Sequence, residues 1–164
     1  MRAIVVDDSP TMRTMIKSHL NRLGYTVVGE GVNGVEGLEL ARTLRPDFMT
    51  LDIIMPEMDG IECYRHVRQL DNPPRTLLIS VLAGEPRIIS AYESEIYPTH
   101  FLKKPFSEKE LKEKIDMLFA TGAMPYPTIG ETSAPIAAAP MPPPAPAPAP
   151  PSVDSSGIPP IPLN

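Results

Sequence analysis

Cysteine is nearly absent: Cys63 is the only one in 164 residues. No intramolecular disulfide can form, and a reducing cytosol is the simpler home for such a chain. Long apolar runs are missing too, since no stretch approaches the roughly 18 residues that a membrane-spanning helix needs. The apolar part of MRAIVVDDSP is too short for a secretory signal, and acids follow it at once. A cytoplasmic chain with no membrane partner is expected. Nor is there a basic excess. Over residues 1–120, fifteen Lys and Arg face eighteen Asp and Glu, and residues 121–164 add only Glu131 and Asp154. A nucleic-acid surface normally carries positive charge in excess, so no nucleic-acid partner is expected.

Proline is unevenly spread. Fourteen of the 22 prolines lie in residues 121–164, with PPPAPAPAPP at 142–151. Pro and Ala with few large apolar side chains cannot offset the entropy of ordering, so 121–164 is expected to be a disordered tail. Its proline run favours polyproline II and would act as a semi-stiff spacer. The two regions expected are thus a folded domain over 1–120 and this tail over 121–164.

Within 1–120, short β-branched runs alternate with longer segments of helical period. Strands are predicted at Arg2–Val6, Tyr25–Gly29, Phe48–Leu51, Thr76–Ser80 and Thr99–Leu102, with helices at about 10–22, 34–44, 60–70, 85–94 and 107–119. The first helix has a Ser9 cap, Pro10 at its first position and Gly24 as its stop. The last opens on a capping box, Ser107 to Glu110. Met12, Met15, Met49 and Met117 fall at core-like positions and read as gap fillers. Strict strand–helix alternation implies an α/β fold with a parallel sheet covered on both faces. Five such units suit an open, doubly wound sheet in the flavodoxin-like order 2-1-3-4-5 better than a closed barrel, which needs eight.

That topology gives the acids a meeting place. Ligands bind such sheets outside the carboxyl ends of the strands, at the switch point between strands one and three. Asp7 and Asp8 follow strand one, and Asp52 ends strand three in LDIIMPEMDG. Crowded carboxylates repel and raise one another's pKa unless a cation intervenes, and an all-oxygen set suits Mg²⁺. Ser80 ends strand four and Lys104 follows strand five, which adds a hydroxyl and an ammonium to the same rim. These are the parts of a phosphate site built for transfer to a carboxylate.

VVDDSP, LDIIMPEMDG, LLIS and FLKKPF, in that order and spacing, resemble the receiver domain of two-component response regulators, and the single-domain layout looks like the CheY-like, chemotaxis-type members. The resemblance covers about residues 1–120. It implies that Asp52 is the phosphoacceptor and that Asp7, Asp8, Asp52 and the main-chain carbonyl of Ile54 hold Mg²⁺. It further implies that Ser80 is the switch hydroxyl, that Lys104 pairs with the phosphoryl group, and that Pro105 matches a cis-proline. Phe101 falls at the aromatic switch position and would rotate inward when Ser80 moves. The donor would be a histidine kinase. The downstream target would be a protein reading the face of the fourth helical segment, fifth strand and fifth helical segment, such as a chemotaxis or motility component. No GxxxxGK(S/T) or other nucleotide loop is present, so the phosphate must come from a partner or a small donor. The chain would be no enzyme in the ordinary sense, catalysing only its own phosphorylation and dephosphorylation. After residue 120 only the proline-rich stretch follows, so direct promoter binding is not expected.

Two other readings stand beside this one. In one the domain is an adaptor or scaffold, with the proline-rich tail as its binding element. In the other the chain is a phosphatase or flavodoxin of similar topology, but LDIIM lacks the D-x-D-x-(T/V) pattern and acids occupy the place of a flavodoxin's phosphate loop. Some positions depart from the receiver pattern: Ile54 and Val81 are apolar or bulky where that family is often polar or small, and Tyr97-Pro98-Thr99-His100 replaces a Gly-Ala lead. Cys63 and the three histidines show no spacing suited to nucleophile or metal chemistry.

Overall fold

The structure, a computed structural model, describes residues 1–83 and 96–120. The helix predicted over 85–94 and the proline-rich stretch 121–164 lie outside the described residues. In chain order the elements are β1 (Arg2–Val6), α1 (Pro10–Arg22), β2 (Thr26–Gly31), α2 (Gly34–Leu44), β3 (Phe48–Asp52), α3 (Gly60–Val67), β4 (Arg75–Ser80), a 3₁₀ turn (Pro98–His100), β5 (Phe101–Lys103) and α4 (Glu108–Ala120). All strand pairs are parallel, in the predicted order β2-β1-β3-β4-β5.

Alternation of side chains along the strands builds two cores, one on each face of the sheet. Ile4, Val6, Met49, Leu51, Leu78 and Phe101 meet Ala41 of α2 and Ile61, Tyr64 and Val67 of α3. On the other face Ala3, Val5, Phe48, Leu77, Ile79 and Leu102 meet Ile16 and Leu20 of α1 and Leu111, Ile115 and Leu118 of α4. The inner strands β1, β3 and β4 are buried almost throughout, whereas edge strand β2 is only half-buried. Each large apolar side chain withdrawn from water contributes about 1.5–3 kcal/mol, which sets the register of the inner strands.

Local chemistry fixes the element ends. Ser9 Oγ accepts from the Met12 amide, and Gly24, at φ 82°, ends the first helical turn system in a left-handed conformation that a side chain would disfavour. Ser107 and Glu110 form the expected capping box, with Glu110 accepting from the Ser107 amide at 2.8 Å and Ser107 Oγ accepting from the Glu110 amide at 3.2 Å. Asn33 and Asp59 cap α2 and α3 in the same way.

Several boundaries differ from the sequence expectation. Tyr25 donates its amide to the Leu20 carbonyl at 2.9 Å, so β2 begins one residue later and runs on to Gly31. The third helix ends at Val67, because Gln69 and Leu70 close i→i−3 turns onto His66 and Val67 ahead of Pro73-Pro74. The fifth strand begins at Phe101 rather than Thr99. Pro98 brings no N–H to a ladder, and the His100 amide closes a 3₁₀ turn on the Tyr97 carbonyl at 2.8 Å. Met117 is exposed, since the buried stripe of α4 runs through Leu111, Ile115 and Leu118, and the residue before Leu118 faces away. Met49 is fully buried and Met12 and Met15 are partly so, as expected.

Candidate functional site

β1, β3 and β5 deliver their charges to one edge of the sheet. Asp7 is fully buried one residue past β1, and its amide donates to the Gly31 carbonyl at 3.1 Å, tying the departing loop to β2. Asp52 closes β3 with 6% exposure and pairs in register with Ile79, one residue before Ser80. Carboxylate oxygens of Asp7, Asp8 and Asp52 lie within 4.8 Å of one another. Lys104 spans the group: its Nζ donates to Asp7 Oδ2 and to Asp52 Oδ2, both at 2.7 Å. Its own amide donates to the Ser80 carbonyl at 2.9 Å, so the backbone of β4 fixes where the ammonium starts. The second oxygen of each of these two acids is also engaged. Asp7 Oδ1 accepts from the Ser9 amide and Asp52 Oδ1 from the Ile53 amide.

These contacts leave the charges unequal. Burial is the largest influence on Asp52 and holds its carboxyl above the usual carboxylate range; Lys104 works against that and Asp7 with it. Burial also opposes the charge on Lys104, but hydrogen bonds to Asp52 and Asp7 outweigh it and hold the ammonium above the usual lysine range. The lysine is thus well matched, while one ammonium is shared between two buried acids. Three carboxylates against one ammonium leave two negative charges in excess, the charge of one divalent cation. The donors are all oxygen, and exposed Asp8 leaves the group open to water, which suits a hard, partly hydrated ion.

The other predicted site residues take up positions around this cluster. Ser80 is buried, and its Oγ accepts from the Leu82 amide at 3.1 Å, so the hydroxyl is engaged in its own turn. The Lys104–Pro105 bond is cis. Ile54 lies in the loop after β3 with its side chain 54% exposed, and Val81, just past β4, is 56% exposed. Phe101 is buried, in the same core cluster as Leu78, Ala83 and Ile96. A phenyl ring without a hydroxyl has nothing to gain from water at that edge. Cys63 is buried, and burial, with Asp59 and Glu62, pushes its thiol up to about 12, far from nucleophilic use.

Two supports escaped the sequence reading. Gly60 packs against the main chain of Asp52 and Ile53, and its amide donates to the Ile53 carbonyl at 2.9 Å. Asn33 reaches across 24 residues to give Glu57 a 2.9 Å hydrogen bond, and Glu57 sits at φ 66° in the loop that follows Asp52. An Asp-Gly pair signals locally only a turn, and nothing local signals the second contact.

Fold and site define an open α/β domain with an acidic, lysine-bridged pocket at its switch point. The chain belongs to the response regulator receiver domain family, whose model matches residues 3–116. Among curated relatives, it is 33% identical to the chemotaxis protein CheY of Thermotoga maritima and 36% to that of Bacillus subtilis, each over 115 residues, 70% of this chain and 94% of the relative. Among solved structures, the signal receiver domain of the putative response regulator NarL from Mycobacterium tuberculosis matches with a TM-score of 0.62 and 34% identity, covering 71% of this chain and 94% of that one. The chain is thus a CheY-like receiver of the two-component type. Among the described residues, no helix is long and apolar enough to cross a membrane.

Proposed function

We propose that this receiver is a phosphorylation-activated switch in which Asp52 takes a phosphoryl group from the phosphohistidine of a histidine kinase. The observation that carries the reading is the position of Lys104 Nζ, 2.7 Å from both Asp52 and Asp7 within the acidic group. In the transfer an Asp52 oxygen bonds to phosphorus as the phosphorus–nitrogen bond breaks, and the electron pair stays on the imidazole. Asp52 is held for this by the Ile53 amide on one oxygen and Lys104 on the other. Lys104 can follow charge from the carboxylate to the phosphoryl oxygens, because its ammonium is already seated beside the reacting group.

Asp7, Asp8, Asp52 and the main-chain carbonyl of Ile54 would hold Mg²⁺. When bound, that ion supplies the missing positive charge and a template for phosphoryl oxygens. Ser80 Oγ accepts from the Leu82 amide, and its O–H would donate to the new oxygens. Since Phe101 is already buried, phosphorylation acts by holding it there rather than by drawing it in, a shift of population between two states. The surface offered to a protein target includes β5 and α4, where Ala83, Lys103, Pro105, Lys114 and Met117 line a groove. The family's CheY relatives support a chemotaxis or motility role for that target.

The test is incubation with Mg²⁺ and phosphoramidate, followed by intact-mass and peptide mass spectrometry. One phosphate on Asp52, lost in Asp52→Asn and dependent on Mg²⁺, is the expected result. Phosphate on another residue, or full labelling of Asp52→Asn, overturns the reading.

A further inference from the structure

Two adjacent residues leaving a strand ordinarily point to opposite faces. Yet Asp7 and Asp8 bring carboxylate oxygens within 4.8 Å of each other and of Asp52. The chain must turn sharply after β1 to do this, and the turn takes the carbonyls of both acids out of the sheet ladder. Backbone carbonyls that lose their ladder need another donor. Arg13, one turn into α1, supplies it: Nη1 donates to the Asp7 carbonyl at 2.8 Å and to the Asp8 carbonyl at 3.2 Å. Its side chain is only 16% exposed.

We infer that Arg13 is a positioning residue for the acid pair, gripping the main chain of Asp7 and Asp8 from behind so that both carboxylates face the cleft. This rests on the metal-site reading above. Its hold on the pair is through the main chain and not the carboxylates, because the carboxylate within 4.0 Å of Arg13 is that of Glu30, on β2. Glu30 also takes Lys17, so Nε of the guanidinium faces an already paired acid while the terminal Nη1 is left for the two carbonyls. The helix fixes the other end of the lever, as the Arg13 amide donates to the Ser9 carbonyl at 3.0 Å. A guanidinium donates without ever accepting and presents its donors in a fixed plane, which suits a grip on two carbonyls.

The expected consequence is loss of Mg²⁺ affinity out of proportion to loss of fold. Groups that orient metal ligands without touching the ion typically account for about 10–100-fold in affinity. The experiment is calorimetric titration of the full chain with MgCl₂ alone, for wild type, Arg13→Met and Arg13→Lys, with melting in metal-free buffer run in parallel. Arg13→Met keeps the apolar stem and should bind Mg²⁺ about tenfold more weakly or worse. Arg13→Lys, whose ammonium stops short of the Nη1 position, should fall between it and wild type while melting like wild type. Either variant, once shown to be folded, binding Mg²⁺ as tightly as wild type overturns the inference; should Arg13→Met not fold, Arg13→Lys alone decides. A wild-type chain that takes up no Mg²⁺ overturns the underlying site reading, and this inference with it.

Discussion

Gly60 sets its bare α-carbon against the main-chain carbonyl of Asp52, so closely that a side chain there would collide with that oxygen and come within 2.8 Å of the Ile53 α-carbon. The first residue of α3 thereby fixes the height at which β3 presents its carboxylate. Gly60→Ala cannot be absorbed by a flexible side chain, since the atoms it meets are backbone. A cost of about 2–3 kcal/mol or more is expected, within the usual range for overpacking or above it. Urea unfolding with and without Mg²⁺ would measure it, and the stabilisation by Mg²⁺ should shrink along with the stability.

Asp52 has its carboxyl pushed above the ordinary range mainly by burial, so its ionised form is less favourable in the folded chain than in the unfolded one. At neutral pH that ionisation is a cost. Asp52→Asn should therefore melt higher than wild type in metal-free buffer, by a few degrees. Added Mg²⁺ should raise the wild-type melting temperature and leave the variant nearly unchanged. A variant that melts lower would show that the bond to Lys104 outweighs desolvation.

Ile54 lies two residues past Asp52 and Val81 one residue past Ser80, both about half exposed. Apolar groups in those places would exclude water from a phosphoryl group on Asp52. Ile54→Asn and Val81→Ala should each shorten the phosphoform lifetime severalfold, measured by decay of radiolabel after the donor is removed. Unchanged decay would remove the shielding role.

His100 is 1% exposed, and neither ring nitrogen has a hydrogen-bond partner among the described residues. Burial first, then Arg75 on β4 and Lys114 on α4, hold its pKa down at about 4 against an ordinary 6.5. Below pH 6.5 the unfolded chain takes up a proton that the folded chain refuses, so stability falls as pH drops from about 6.5 to about 4. The full loss is about 3 kcal/mol at 1.36 kcal/mol per unit. His100→Phe should lose that much less stability between pH 7 and pH 4 in denaturant titrations. Parallel losses in the two proteins would place the acid sensitivity elsewhere.

Much of the layout is legible in local residue chemistry. Ser9-Pro10 and Gly24 bound α1, and Ser107 with Glu110 opens α4, because capping uses neighbours in sequence. The gathering of Asp7, Asp8, Asp52 and Lys104 is legible for a different reason: a parallel doubly wound sheet sends the carboxyl ends of all its strands to one edge. What escapes is set by contacts between segments with no local signature. The fit of Gly60 under Asp52, the bond from Asn33 to Glu57 and the inward setting of Phe101 depend on how layers close, which residue spacing does not encode. The 3₁₀ turn before β5 belongs to the same class, since Thr99 and His100 suit a strand until Pro98 is placed.

β5 is three residues long, lies at the border of the sheet and is laddered to β4 alone. Lys104, the cation seated among the acids, arrives immediately after this short border strand. Fraying there would withdraw the ammonium and leave the remaining four strands intact, turning the pocket into bare like charges. Amide exchange at Leu102 and Lys103 would consequently run ahead of exchange in β1 and β3, and its rate would report how often the chain arms or disarms its own chemistry without coming apart.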